Sequence, residues 1–198
     1  LEDKGQYPLI KNSETFHPFL LAHAIDLEDL YHIDINNYII EYKWDGIRVQ
    51  IVSENNSSKI YSRNGEEITC SFPEIQVNSK KLCVLDGELL VKRNKKILPF
   101  NKLQKRINKK KPSKRLLLEM TAFVKLYDIL FYNNKDVRSK NQLIRKNLLK
   151  KFFMQKKTDC LDLSSPLTFK NIQDINYLYS GLKNNEIIEG LVLKNINS

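Results

Sequence analysis

The nonapeptide EYKWDGIRV, residues 41–49, places a lysine, an aspartate and an arginine within six positions of one another. Lys43 follows a strand-like run and precedes Asp45-Gly46, a pair that favours a tight turn. We therefore expect the next run, IRVQIV, to return antiparallel to the first and to hold the amine of Lys43 at the turn. An unperturbed lysine has a pKa of about 10.4, so it acts as a nucleophile at neutral pH only where burial or nearby cations lower that value. Three cations are available for this effect: Arg48, Arg63 and Lys194.

Three later segments also carry charged side chains beside a turn or at a strand end. SRNGEE, residues 62–67, puts Arg63 before Asn64-Gly65, where its guanidinium is able to face a phosphate. DGE places Asp86 and Glu88 two positions apart, hence on the same side of an extended strand. EGLVLK, residues 189–194, begins with a glutamate and ends with a lysine. Each segment taken alone also fits a solvated surface, and the phosphate-binding loops GxxxxGKS and GxGxxG are absent from the sequence.

The elements that must position these residues predict an α+β fold, with antiparallel β-sheets and flanking helices. Strand-like runs alternate apolar and polar residues or are rich in β-branched and aromatic ones; they are YIIEY, IRVQIV, KIYS, LCVLDGELLVK, AFVKLYDILFY and EGLVLK. In LCVLDGELLVK we expect Asp86-Gly87 to form a turn or a bulge. Helices are predicted by apolar residues at helical spacing; they cover PFNKLQKRI, KRLLLEM, SKNQLIRKNLLKKFF and NIQDINYLYSGLK, with one short helix in AIDLEDLYHID.

The composition fits one large globular domain, since 198 residues with 41% hydrophobic content can bury a sizeable core. No apolar run approaches the length of a membrane span and the start lacks a secretory signal, so we expect a cytoplasmic protein without membrane contact. The three cysteines are widely spaced and lack zinc-ligand spacing, which predicts buried reduced thiols.

The net charge of +10 is concentrated in one segment. Between Lys92 and Arg115 lie twelve Lys and Arg residues and no acid, which leaves the remainder of the chain at −2. Such a segment is either a solvated loop or a surface that contacts a phosphate backbone. Our hypothesis is that its second half contacts duplex DNA through Lys105, Arg106, Lys109, Lys110, Lys111, Lys114 and Arg115.

The ordered series EYKWDGIR, SRNGEE, LDGE, YDIL and EGLVLK resembles the motifs of covalent nucleotidyltransferases, and most closely those of ATP-dependent DNA ligases. K-x-D-G-x-R is the first motif of that superfamily. The resemblance runs from about Phe19 to Ser198 and is greatest to the bacterial ATP-dependent type. It implies an ATP-grasp-like nucleotidyltransferase (adenylation) fold, ATP and Mg²⁺ as cofactors, and nicked double-stranded DNA as partner. It also implies a monomer that serves DNA replication, repair or recombination.

The resemblance further implies a role for each matching residue. Lys43 matches the lysine that attacks the α-phosphorus of ATP and forms a lysyl-adenylate, from which AMP passes to the 5′ phosphate of a nick. The implied nucleotide contacts are Glu41 to adenine, Arg48 to the sugar or nick phosphate, Arg63 to the phosphate side, Glu88 to ribose, Tyr127 stacked on adenine and Lys194 to the α-phosphate. Glu88 and Glu189 match metal-associated carboxylates. Trp44, the sole tryptophan, is interpreted as packing beneath the site.

The domain organisation predicted from these motifs is a lead-in, residues 1–35, that packs on an adenylation domain, residues 36–198. In the family a last motif with two lysines flanking one residue, and then an oligonucleotide-binding-fold domain, follow the segment that ends at Lys194. The sequence stops four residues after Lys194. We therefore expect a fragment that binds ATP poorly and self-adenylates slowly or not at all.

Two alternatives remain open at the level of sequence. An RNA ligase or an mRNA-capping-type guanylyltransferase shares the superfamily motifs, although Glu41 and the frame EYKWDGIR favour adenine and DNA. A catalytically incomplete ligase-like module that binds DNA is the other. Retention of Lys43, Glu88, Glu189 and Lys194 argues against it, because a binding module has no need of all four.

Overall fold

The computed structural model describes residues 15–107, 109–156 and 158–198, which form two β-sheets with helices packed on both. The strands are β1 (Tyr38–Trp44), β2 (Ile47–Glu54), β3 (Ser57–Ser62), β4 (Cys83–Arg93), β5 (Lys96–Ile97), β6 (Thr121–Tyr132), β7 (Lys135–Asp136), β8 (Leu161–Leu163) and β9 (Ile188–Asn195). The helices are α1 (Phe100–Ile107), α2 (Lys114–Glu119), α3 (Gln142–Gln155) and α4 (Ile172–Ser180), with short 3₁₀ helices at Glu28–His32, Ile35–Asn37 and Thr69–Ser71. The α+β prediction is confirmed. Within the described ranges, no helix combines the length and the apolar character needed to cross a bilayer.

The larger sheet has seven strands and contains the main core. Its path is β3-β2-β4-β6-β7, with β5 beside β4 and β8 parallel to β6, while all its other pairs are antiparallel. Leu103 of α1 and Leu149 and Phe152 of α3 pack on one face. On the other face Phe16 packs against a cluster that includes Leu130. Because both faces are covered, β4 is buried along most of its length.

The smaller sheet pairs β1 with β9, and this corrects the predicted hairpin between β1 and β2. Tyr38 lies opposite Asn195 and Lys43 opposite Gly190, whereas β2 already pairs with β3 on one side and β4 on the other. The residues after Trp44 therefore cross from one sheet to the other. Gly46 lies at this crossing, where an added Cβ would come within 2.5 Å of the Leu89 carbonyl oxygen. A glycine is needed there for close approach of the backbone.

Three tight connections in the larger sheet use asparagine in the left-handed region. They are Asn55-Asn56 (φ 51° and 60°) between β2 and β3, Asn94-Lys95 (50° and 66°) between β4 and β5, and Asn133-Asn134 (52° and 69°) between β6 and β7. Positive φ at both central residues is the mark of the type I′ hairpin, which matches the right-handed twist of the strands. The polar segment SENNSS, residues 53–58, thus contains the turn between β2 and β3.

β4 continues through Asp86-Gly87 without a turn or a bulge of its own, which corrects the prediction. The register between β4 and β6 shifts here because Asp86 lies opposite Asp128 and Gly87 opposite Leu126, so the bulge lies in β6 at Tyr127. An added Cβ at Gly87 would lie 2.5 Å from Cγ1 of Val124. The glycine thus allows β6 to pack closely against β4 at the point where β6 bulges.

The lead-in packs on both sheets over its described part, while residues 1–14 lie outside the described residues. The backbone N–H of His17 donates to the Gln50 side chain at 2.7 Å. Leu30 and Ile35 join Ile40 of β1 and Ile175 of α4 in a separate small core. The segment AIDLEDLYHID, predicted to contain one short helix, forms the 3₁₀ helix Glu28–His32.

The cysteines agree only partly with prediction. Cys83 and Cys160 are buried free thiols, but Cys70 is exposed because it lies in a surface 3₁₀ turn.

Candidate active site

One cleft of about 480 Å³ is lined by residues of both sheets and of the lead-in. The residues with predicted catalytic, nucleotide or metal roles all line it: Glu41, Lys43, Arg48, Arg63, Glu88, Tyr127, Glu189 and Lys194. The lead-in adds Leu20, Leu21 and Ala22, which the sequence interpretation did not include. Five motifs that are separated along the chain thus meet at one surface.

Lys43 and Glu189 face each other across the smaller sheet. The ammonium of Lys43 contacts the Glu189 carboxylate in an ion pair. The two side chains remain 53% and 42% exposed, so a ligand in the cleft is able to reach both. Their proximity follows from the register of β1 and β9, in which Lys43 lies opposite the residue after Glu189.

Arg48 is held in a fixed orientation by Asp86, a residue that received no role from the sequence. Its guanidinium donates two hydrogen bonds, of 3.1 and 2.6 Å, to the two oxygens of Asp86. It also donates to the Leu20 carbonyl at 2.7 Å and lies 4.2 Å from the centroid of the Phe19 ring. Asp86 is almost fully buried. Burial raises the pKa of this carboxyl, and the bond to Arg48 opposes the rise.

Glu88 lies beside this pair without joining it. It is opposite Arg48 in the register of β2 and β4. Burial raises the pKa of Glu88 to about 8, the charge of Asp86 adds to the rise, and Arg48 and Lys43 oppose it. At neutral pH this carboxyl is therefore largely protonated in the ligand-free protein, and it is able to donate a hydrogen bond as well as accept one.

Tyr127 presents its ring between two cations. The ammonium of Lys194 is 4.8 Å from the ring centroid, and the guanidinium of Arg48 is 5.8 Å from it. Burial raises the pKa of the Tyr127 hydroxyl well above its ordinary value. The ring is consequently a neutral aromatic surface at the wall of the cleft.

Glu41 is the most deeply buried acid of the cleft, with 1% exposure. One of its oxygens forms an ion pair with Lys146 of α3, and the other lies 3.4 Å from the ammonium of Lys194. Lys194 also donates to the Tyr127 carbonyl at 3.3 Å. The sequence interpretation missed Lys146, which lies outside every motif. The sequence carries no signal for it, because the buried side of α3 beside Lys146 includes the polar residues Gln142 and Arg145 as well as Leu149.

Trp44 packs at the same wall, in agreement with its predicted packing role. Its ring N–H donates to the Ser164 hydroxyl at 3.1 Å, and the ammonium of Lys125 lies 4.6 Å from the ring. The Trp44 side chain therefore joins the smaller sheet to the segment that follows β8.

The predicted DNA-contact set needs one correction. Lys105, Lys109, Lys110, Lys111, Lys114 and Arg115 are exposed. Arg106 is instead fully buried, with its guanidinium bonded to Glu74 at 2.9 and 3.1 Å and to the Ser71 carbonyl at 3.0 Å. Arg106 lies on the side of α1 that packs against β4, and Glu74 neutralises its charge inside the fold. Arg115 pairs with Glu119 one turn later on α2.

The carboxylates of the cleft fit a magnesium ion only in company with another donor. Glu88 and Glu189 both line the cleft. Among the described residues, however, no group of three or more acidic, histidine or cysteine side chains is placed to hold a metal by itself. Mg²⁺ typically uses one or two carboxylates together with substrate phosphates, and the two glutamates fit that pattern.

Comparison with known proteins gives a family for this arrangement. The model of the ATP dependent DNA ligase domain matches residues 19–198. The chain belongs to the ATP-dependent DNA ligase family. The match includes every residue that lines the cleft.

Relatives of this ligase domain include a DNA ligase of Methanococcus aeolicus, 33% identical over 177 residues, which cover 83% of this chain and 31% of that protein. A DNA ligase of Nanoarchaeum equitans is 25% identical over 92% of this chain and 33% of its own length. A prophage-derived DNA ligase-like protein of Bacillus subtilis is 28% identical over 82% of this chain and 56% of its own length. The chain thus spans less than two thirds of each of these relatives, and both archaeal and bacterial ligases resemble it.

Solved structures show the same fold. Mycobacterial DNA ligase D complexed with ATP and MES matches 82% of this chain and 50% of its own chain, with a TM-score of 0.63 and 18% identity. Chlorella virus DNA ligase-adenylate matches 93% of this chain and 62% of its own, with a TM-score of 0.61 and 15% identity. The predicted nucleotidyltransferase fold is thereby confirmed.

Proposed function

We propose that this chain contains the adenylation domain of an ATP-dependent DNA ligase, and that the full-length protein seals nicks in double-stranded DNA. Residues 36–198 form that domain in this proposal, and the preceding residues are a lead-in packed on it. The observation that carries the proposal is the gathering of eight nucleotide-site side chains, from five separated motifs, in one cleft.

In the first step the neutral amine of Lys43 attacks the α-phosphorus of ATP. A nitrogen–phosphorus bond forms, the bond from the α-phosphorus to the bridging oxygen breaks, and pyrophosphate leaves with the bonding electrons. Glu189, which contacts the Lys43 ammonium, would accept its proton. Arg48, Arg63 and Lys194 line the same cleft and balance the negative charge of the phosphates. A magnesium ion held by Glu88, Glu189 and the phosphates would stabilise the charge on the leaving group.

Two further transfers complete the proposed reaction. The 5′ phosphate of a nick attacks the adenylate phosphorus, so that the bond to Lys43 breaks and a phosphate–phosphate anhydride forms. The 3′ hydroxyl then attacks the nick phosphorus, which closes the phosphodiester and releases AMP. The exposed lysines between Lys105 and Lys114 are placed on the surface, where they would meet duplex backbone.

The test of the nucleophile is covalent labelling of the full-length protein with α-labelled ATP. Wild-type protein is expected to gain an acid-labile AMP adduct that is visible by mass, and Lys43→Ala to gain none while its affinity for nicked DNA stays nearly unchanged. The matched control is Lys150→Ala, because Lys150 is an exposed lysine of α3 that does not line the cleft. A normal adduct in Lys43→Ala would contradict the assignment.

The same labelling distinguishes the alternatives. Labelling by GTP alone would identify a guanylyltransferase, and labelling without sealing of nicked DNA would favour an RNA ligase or an incomplete module. Tight DNA binding with no labelling by either nucleotide would leave only a DNA-binding module.

A further inference from the structure

Lys146 of α3 contacts Glu41, the proposed adenine-recognition carboxylate, from outside the cleft. Its ammonium pairs with Glu41 and donates to the Ser164 carbonyl at 3.3 Å. The Lys146 side chain is only 13% exposed, and Lys146 is not among the residues that line the cleft. Glu41 is the cleft residue that Lys146 contacts directly, so the most direct effect of Lys146 on a bound nucleotide is through Glu41.

A buried carboxylate such as Glu41 requires cationic partners, because an ionised group that leaves water without them is strongly destabilised. Glu41 has two, Lys146 and Lys194. Lys194 is shared, since it also contacts the carbonyl and the ring of Tyr127 and is the proposed partner of the α-phosphate. Lys146 has no such second task in the cleft. In a complex where Lys194 contacted a phosphate, Lys146 would be the cation that remains with Glu41.

We propose that Lys146 is a positioning residue that fixes the orientation and the charge of Glu41, and thereby sets the preference of the cleft for adenine over guanine. This inference rests on the proposed function. At the equivalent ring position adenine carries an amino group that donates a hydrogen bond, whereas guanine carries a carbonyl that only accepts. A fixed carboxylate accepts from the first and repels the second. A carboxylate free to turn discriminates poorly.

The charge of Lys146 depends on the groups around it. Burial lowers the pKa of Lys146 to about 8, and Lys194 on β9 adds to this lowering. Glu41 on β1 and Asp128 on β6 oppose it, although Asp128 is itself paired with Arg145 at 3.0 Å. Lys146 is thus charged at neutral pH and loses its charge as the pH rises above about 8.

The test compares Lys146→Met, Lys146→Arg and Lys150→Met with the wild-type full-length protein. The measurement is the rate of covalent labelling by ATP and by GTP over a range of concentrations. In Lys146→Met we expect the ATP/GTP preference to fall about tenfold or more, through a higher KM for ATP with little change in kcat. Lys146→Arg should restore most of the preference. Lys150→Met should match wild type, because Lys150 is exposed on the same helix.

A pH series gives a second reading that does not depend on whether Lys146→Met folds. Between about pH 7 and 9 the preference of the wild-type protein should decline as Lys146 loses its proton, while that of Lys146→Arg should stay level. Because Lys43 is common to both nucleotides, its own titration cancels in the ratio.

The outcomes separate the two proposals. Unchanged preference in folded Lys146→Met, or parallel pH curves for wild type and Lys146→Arg, would overturn the inference and leave the proposed function intact. Equal labelling of the wild-type protein by both nucleotides would overturn the positioning role alone. Labelling of the wild-type protein by neither nucleotide would overturn the positioning role and the ligase proposal together.

Discussion

At the scale of the residue, most charges of the cleft are paired. Lys43 pairs with Glu189, Arg48 with Asp86, and Glu41 with Lys146 and Lys194. Among the described carboxyl groups that line the cleft, Glu88 is the exception, since it lies near cations without forming an ion pair. Burial raises the pKa of Glu88, so a bound proton rather than a paired cation neutralises this carboxyl.

This protonation predicts a pH dependence of stability. The pKa of Glu88 is about 8 in the folded protein against an ordinary value of 4.5, so the folded state binds the extra proton between these values. The contribution of Glu88 to the free energy of unfolding is therefore largest below about pH 4.5. It is lost as the pH rises to about 8. Relative to Glu88→Gln, which does not titrate, the free energy of unfolding of the wild type should fall with pH by at most about 1.4 kcal/mol per unit.

The measurement is urea unfolding of both proteins without nucleotide and with a metal chelator, at several pH values across that window. A constant difference between the two proteins would show that Glu88 titrates normally. Lys150→Gln, a substitution at an exposed site, supplies the baseline for the overall pH response.

The motifs predict which residues form the cleft, but not the partners that hold them. Asp86 is recognisable as part of DGE, yet only the structure shows its two bonds to Arg48. Lys146 lies 105 positions after Glu41 in the sequence, and nothing in a local pattern connects the two. Such partners depend on which elements pack together, and spacing along one element does not contain that information.

At the scale of the element, local patterns predict the strands and helices but miss one important pairing. Asp45-Gly46 is a common hairpin pair, so it predicts that β1 and β2 are neighbours. The edges of β2 are instead occupied by β3 and β4, and β1 finds its partner in β9. Gly46 instead allows two backbone segments to cross closely. The sequence alone does not distinguish this use of a glycine from a turn.

The crossing predicts a specific sensitivity at Gly46. In Gly46→Ala the new Cβ would meet the Leu89 carbonyl oxygen at 2.5 Å, a backbone atom that cannot move independently. We expect a loss of about 1 to 3 kcal/mol in the free energy of unfolding, together with a higher KM for ATP because Lys43 and Arg48 flank the crossing. Thermal and urea unfolding with the labelling assay measure both effects.

Gly181→Ala is the matched control for this substitution. Gly181 caps α4 with φ −67°, and its Cβ would find neighbours no closer than 3.5 Å. It should leave stability unchanged or slightly raised. Equal effects of the two substitutions would remove the argument for close approach at Gly46.

At the scale of the whole molecule, the excess positive charge is concentrated in one segment and thereby separated from the rest of the chain. The twelve basic residues between Lys92 and Arg115 account for the whole excess of positive charge. The structure removes Arg106 from the surface and leaves five lysines exposed between Lys105 and Lys114. Burial of Arg106 also anchors the segment, because Glu74 bonds both to this guanidinium and to the backbone N–H of Ala122 at 2.9 Å.

This separation predicts the salt dependence of DNA binding by the full-length protein. Replacement of Lys105, Lys109, Lys110, Lys111 and Lys114 by glutamine should lower affinity for nicked duplex and flatten the plot of log affinity against log salt, by roughly 0.9 for each phosphate that is no longer neutralised. The control replaces five exposed lysines elsewhere: Lys80, Lys81, Lys150, Lys151 and Lys183. Both variants lose the same net charge, so equal slopes would mean that position does not matter and that the segment is a solvated loop.

The pairing of β1 with β9 also determines when the cleft is able to form during synthesis of the chain. Glu41 and Lys194 touch although they are 153 positions apart, so the wall of the cleft beside Lys43 is complete only when β9 is present. During synthesis from the N-terminus, β1 must wait for a partner until almost all of these residues have left the ribosome. A nascent chain that lacks β9 has the lysine but no cleft around it.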